Sequence, residues 1–90
     1  MTKVIFRKHK KGGEVIAFFP TITVNYGNIM SYSHIGQHSE AAYLFYLHDT
    51  VKAKSAEYKT LLNELENIAG YNDLRVMQRV NHKDVVGSWV

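Results

Sequence analysis

The sequence predicts an α+β fold: a two-layer, mostly antiparallel four-stranded sheet in β-β-β-α-β order, covered on one face by one long helix. Three observations lead there. Four segments alternate along the chain with a period of two, one segment sets its leucines at helical spacing, and glycine or proline punctuates the joins. Ninety residues leave room for one core, so residues 1–90 are read as a single domain. Leu, Ile, Val and Phe make up more than a quarter of them, above the roughly 20% below which chains tend to stay disordered.

From Lys3 to Lys8, Val4 and Phe6 point one way while Lys3, Ile5 and Arg7 point the other. Glu14 to Phe19 repeats the pattern. Between them lie His9, Lys10, Lys11, Gly12 and Gly13, and the paired glycines tolerate the positive φ of a hairpin return. The first two strands are therefore expected to form an antiparallel hairpin. Pro20 lacks an amide hydrogen and closes the second strand.

Thr21 to Tyr26 is β-branched but sits between Pro20 and the Asn25-Tyr26-Gly27-Asn28 turn cluster, so it reads as an extended excursion. Ile29 to Ile35 is the third strand, alternating Ile29, Ser31, Ser33 and Ile35 against Met30, Tyr32 and His34. Gly36 to Ser39 reads as a turn, with Ser39 able to cap a brief helix through Ala41, Ala42 and Tyr43.

The long helix runs from Ser55, a candidate cap, to Ala69. Tyr58, Leu61, Leu62, Leu65, Ile68 and Ala69 line one face, and Lys59, Asn63, Glu64, Glu66 and Asn67 the wet side. Gly70 ends it in a left-handed cap. Leu74 to Val80 is the last strand, with Leu74, Val76 and Val80 inward and Arg75, Met77 and Arg79 outward. Residues 81–90 are left as an extended tail, in which Trp89 is expected to pack on the body of the domain. With a single covering helix, one apolar sheet face needs another cover: the tail, the Tyr43–Leu47 segment or a second subunit.

Composition narrows the function classes. Without cysteine there is no disulfide framework, thiol nucleophile or thiolate metal site, and a cytoplasmic setting is expected. The first eleven residues lack the apolar stretch of a secretory signal, and runs such as Tyr43–Leu47 fall far short of the ~20 residues a membrane span needs. No membrane association is expected. Net charge is +3, and Lys3, Arg7, Lys8, Lys10 and Lys11 crowd those first eleven residues without an acid, a mild bias toward anionic partners.

Several segments together carry a family likeness: Lys3-Val4-Ile5-Phe6-Arg7, Gly13 to Ala17 ending in Phe19-Pro20, Tyr32 to Ala41, and Glu57-Tyr58 with Glu64-Leu65 before Gly70-Tyr71. They resemble a small uncharacterised bacterial family associated with plasmids and other mobile elements, whose members share a Tyr-x-His-x-Gly-Gln-His centre. The resemblance extends to about Val80. It implies a bacterial accessory protein and lends no catalytic residue. Two departures stand out: Lys54 replaces a helix-capping threonine, and Tyr43–Leu47 is unusually apolar.

Three functions remain for the residues to carry. The first is a non-enzymatic, self-associating interaction module of a bacterial mobile element, with a protein partner or a second copy on the uncovered sheet face. The second is nucleic-acid binding by a basic sheet face of Lys3, Arg7, Lys8, Lys10, Lys11, Arg75 and Arg79, with Phe6, Phe18 and Tyr32 as stacking platforms. The third is a metal-dependent hydrolase centred on His34 and His38. There Glu40, His48 or Asp49 would complete the ligands, Ser33 or Ser39 would be the nucleophile, and Arg75 or Arg79 would clamp the anion. Gly36 argues against the helix that would align the two imidazoles, and the plainer reading is a polar cluster of His34, Gln37 and His38 satisfying the turn backbone. No catalytic residue, metal ligand or cofactor is assigned.

Overall fold

The computed structural model describes residues 2–33 and 37–90. In chain order the elements are β1 (Thr2–His9), β2 (Val15–Phe19), β3 (Asn28–Ser33), β4 (Gln37–Ala42), α1 (Tyr43–Asp49), β5 (Thr50–Lys52), α2 (Ser55–Asn67), β6 (Leu74–Met77) and α3 (His82–Ser88). The sheet runs β4-β3-β2-β1-β5, with β6 also paired to β1. All its pairings are antiparallel except that of β1 with β6. Strand β1 has two short neighbours on one edge: β6 against Thr2–Ile5 and β5 against Arg7–His9.

The α+β class and the β1–β2 hairpin hold, but the expected two-layer, four-stranded form with one helix does not. Six strands lie between two helical layers. On one face Val4, Phe6, Ala17, Phe19, Tyr32 and Ala53 pack against Leu61 and Leu65 of α2. On the other, Ile5, Ile16, Phe18 and Ile29 pack against Tyr43 and Tyr46 of α1 and Val85 of α3. Cross-strand register explains the split, since Phe6, Ala17 and Tyr32 are partners on the first face and Ile5 and Phe18 on the second. Strand β2 is apolar on both sides because both sides are covered.

The second cover is thus supplied from within, by the Tyr43–Leu47 segment and the tail. Residues 81–90 are not an extended tail. Asn81 accepts the Lys83 amide at 3.0 Å to cap α3, and Val24 pairs with Trp89 beyond it. The Trp89 indole N–H donates to the Asn28 carbonyl at 2.7 Å, so Trp89 packs on the body of the domain as expected.

The brief helix expected from Ser39 is strand β4, paired residue for residue with β3 from Ser33↔Gln37 to Asn28↔Ala42. Ladder hydrogen bonds and the Ser31 hydroxyl, which donates to the Ser39 carbonyl at 2.8 Å, outweigh the helical preference of Glu and Ala. Helix α2 has its cap one residue earlier than expected. Lys54 holds the N-cap position rather than Ser55, and the Glu57 carboxylate accepts the Lys54 amide at 2.8 Å. Gly70 has φ +83°, and the Tyr71 amide reaches back to the Leu65 carbonyl at 3.0 Å. Ile68, expected on the inner face, is exposed. Strand β6 stops at Met77 rather than Val80, and Met77 turns inward against the α1 and α3 side.

Candidate functional site

The expected basic sheet face has no open sheet to occupy. Lys3, Ile5, Arg7 and His9 share the α1 and α3 side of β1, and Lys8 lies on the α2 side with Val4 and Phe6. Lys3 Nζ pairs with Asp84 of α3 at 2.8 Å, and Lys8 Nζ with Glu57 of α2 at 2.6 Å. Arg7 donates to the Thr50 hydroxyl at 3.1 Å and the Thr50 carbonyl at 2.8 Å, and its guanidinium lies 4.8 Å from the Tyr46 ring centroid. These three bases fasten helices and β5 to the sheet. Arg75 is the register partner of Lys3, and Arg79 follows β6; both are exposed. Lys10 and Lys11 stand apart at the β1–β2 turn. Phe6, Phe18 and Tyr32 are core residues, with Phe6 stacked on Tyr58 at 4.3 Å.

Of the polar cluster, His34 lies outside the described residues, as does Gly36 between it and His38. Gln37 begins β4, opposite Ser33. His38 is exposed on β4, where its Nε2 lies 2.8 Å from the Tyr71 hydroxyl and its ring meets Tyr32 edge-on at 4.8 Å. Beneath it the Tyr32 hydroxyl donates to Glu64 Oε2 at 2.6 Å, and Glu64 is buried. Burial raises the Tyr71 phenol above its ordinary value of 10.0. Sequence reasoning placed Glu64 on the wet side of the helix and did not single out Tyr71. Glu64 stands three residues after Leu61 and one before Leu65, a spacing that puts it on the inner face. Among the described residues no three His, Asp or Glu side chains converge on one point as a metal site would require.

Strand β4 is also a sheet edge, and among the described residues nothing pairs with its outer side. It carries neither lysine nor proline. Its charged residue, Glu40, is drawn inward, accepting the Asn25 amide at 3.1 Å and Asn28 Nδ2 at 2.9 Å. The Asn28 side chain, then the Asn25 amide, hold the Glu40 carboxyl below its ordinary value of 4.5. The opposite edge is built otherwise: it is divided between β5 of three residues, with Lys52, and β6 of four, with Arg75.

Open hollows indent the surface. One, of about 460 Å³, lies between the β1–β2 turn and the end of α1 and is lined by His9, Lys10, Lys11, Phe45 and Asp49. Another, of about 530 Å³, is lined by Met77, Arg79, Val80, Asn81 and His82. In the second, His82 is engaged by Tyr43, whose hydroxyl lies 3.2 Å from its Nδ1. Among the described residues no helix is long and apolar enough to cross a membrane. No protein-family model, curated protein or solved structure matches the chain.

Proposed function

We propose that this chain is a non-enzymatic interaction module that self-associates, strand β4 of one copy pairing with β4 of another to join two sheets. The observation that carries this reading is the unguarded edge. Folded proteins blunt exposed strand edges with short strands, Lys, Pro or bulges, because unpaired amides and carbonyls template pairing with another chain. The β5 and β6 edge follows that rule with short strands and bases. Six-residue β4 does not, and Glu40 is tied back by Asn25 and Asn28 where it would otherwise repel a second copy.

The apolar sheet face first expected to hold the partner is closed by α1 and α3, so the edge takes over that role. Leu44 and Leu47, exposed on the outer side of α1, add apolar surface that a partner could bury. The likeness of Tyr32 to His38 to a mobile-element family supports a cytoplasmic bacterial accessory protein as the setting.

Sedimentation velocity over a wide concentration range tests the reading. A dimer is expected that gives way to monomer when the exposed Ser39 and Ala42 are both changed to lysine, with thermal stability of the monomer retained. Wild-type protein that stays strictly monomeric at millimolar concentration would remove the proposal.

A further inference from the structure

We infer that the hollow between the β1–β2 turn and the end of α1 is a nucleotide site. Its about 460 Å³ falls within the range of small-ligand clefts, and three kinds of chemistry face it from separate walls. The turn wall is cationic. Lys10 and Lys11 are exposed, and among the described residues neither is ion-paired, whereas Lys3 and Lys8 are. The floor is aromatic: the Phe45 ring lies 5.2 Å from His9 and 6.5 Å from the buried Phe18, which fixes it from below. The far wall is an acceptor, the Asp49 carboxylate at the last position of α1.

That third wall decides the ligand class. A carboxylate lining the same hollow as two lysines disfavours a plain anion, which it would repel, and favours a ligand that brings hydrogen-bond donors along with its phosphate. A nucleotide meets all three walls at once. Its phosphate lies against Lys10 and Lys11, its base against Phe45 and His9, and a base amino group or sugar hydroxyl donates to Asp49.

The walls are also held in place before any ligand arrives. The Lys10 amide donates to the Asp49 carbonyl at 3.1 Å, joining the turn to α1, and the His9 amide donates to Glu14 at 2.9 Å. Gly12 and Gly13, at φ +84° and +70°, turn the chain without adding a side chain to the rim. This site is separate from the β4 edge, across the sheet, so the two proposals stand or fall apart.

Amide chemical-shift titration of the folded protein tests the inference, with AMP, GMP, CMP and UMP, the matching nucleosides, inorganic phosphate and a short single-stranded oligonucleotide as probes. Saturable shifts at Lys10 to Gly13 and Asp49 are expected with nucleotides, and much weaker ones with phosphate or nucleoside alone. Lys10→Ala with Lys11→Ala should weaken nucleotide binding roughly tenfold or more, and lower its salt dependence, without changing the thermal melt or the oligomeric state. Phe45→Leu should weaken it roughly fivefold. Tighter binding of the oligonucleotide would place the nucleotide within a strand; equal binding would make it a free nucleotide. No saturable shift with any nucleotide or oligonucleotide at millimolar concentration, or equal response to inorganic phosphate in wild type and the double-lysine variant, overturns it.

Discussion

The two faces of the sheet are closed in different ways. One is covered by α2, a single 13-residue helix that sets Leu61 and Leu65 into the sheet and fixes its ends with Glu57 and Gly70. The other is covered by α1 and α3, two seven-residue helices separated by more than thirty residues of chain. Isolated helices that short do not hold in water, so the second cover exists only through contacts made once the sheet is present. It is a lid assembled by tertiary packing: Val85 from above, the Trp89 indole on the Asn28 carbonyl, Lys3 on Asp84, and the Tyr46 hydroxyl accepting the Val80 amide at 3.2 Å. The first cover is local and continuous; the second is distributed and cooperative.

The largest expected effect tests the α2 side. Leu65 is fully buried in the centre of that cluster, so Leu65→Ala should cost about 2–5 kcal/mol in urea unfolding. Val85→Ala removes the deepest anchor of α3 but fewer atoms, and should cost about 1.5–3 kcal/mol. The kind of loss should differ as well as its size. If the two covers are built as described, Val85→Ala raises amide exchange across α3 and around Val24 and Asn28 before the sheet opens, whereas Leu65→Ala lowers protection everywhere. Equal, global loss in both variants would mean that the two faces are not separable units.

This difference also decided what could be read beforehand. Helix α2 was legible because Leu61, Leu62 and Leu65 repeat at helical spacing before a glycine. The hairpin was legible because two alternating runs flank Gly12-Gly13. Helix α1 was not, since Tyr43 to Leu47 is apolar all round and shows no period; it sits between sheet and solvent with Tyr43 and Tyr46 inward and Leu44 and Leu47 outward. Strand β4 was hidden because Gln37 to Ala42 holds none of the β-branched or aromatic residues that mark strands, and its identity comes from pairing with β3. In the proposed nucleotide hollow, Lys10 and Lys11 stood out at once. Phe45 and Asp49 arrive from across the fold, and no spacing in a sequence announces that meeting.

A smaller effect sharpens the contrast at the polar end of the α2 face. Tyr32→Phe removes the 2.6 Å hydrogen bond to the buried Glu64 carboxylate while leaving the ring against His38. The expected cost is about 1–3 kcal/mol, larger than for a surface hydrogen bond because the acceptor it is taken from lies out of water. Tyr71→Phe, which loses the contact with the exposed His38, should cost less than Tyr32→Phe in the same unfolding assay.

The smallest expected effect concerns acid. Two exposed carboxylates are held below their ordinary value of 4.5: Glu57 by the hydrogen bond from Lys8, then by the Lys54 amide, and Glu40 by the Asn28 side chain, then by the Asn25 amide. Each binds its proton more readily unfolded than folded, so the stability they contribute is present above the unfolded value and drains away as pH falls through the folded one. Wild-type stability should therefore decline below about pH 4.5, with only a shallow slope because solvent screens both groups. Glu57 fastens β1 to the start of α2, and Glu40 fastens β4 to the turn before β3, on opposite edges of the sheet. Glu57→Gln and Glu40→Gln should each flatten a melting-temperature profile by lowering its neutral limb slightly toward the acid limb, which stays nearly unchanged. A loss of equal size at acid pH, where the wild-type carboxyls are already protonated, would show that shape and packing at those positions, rather than charge, hold the ends in place.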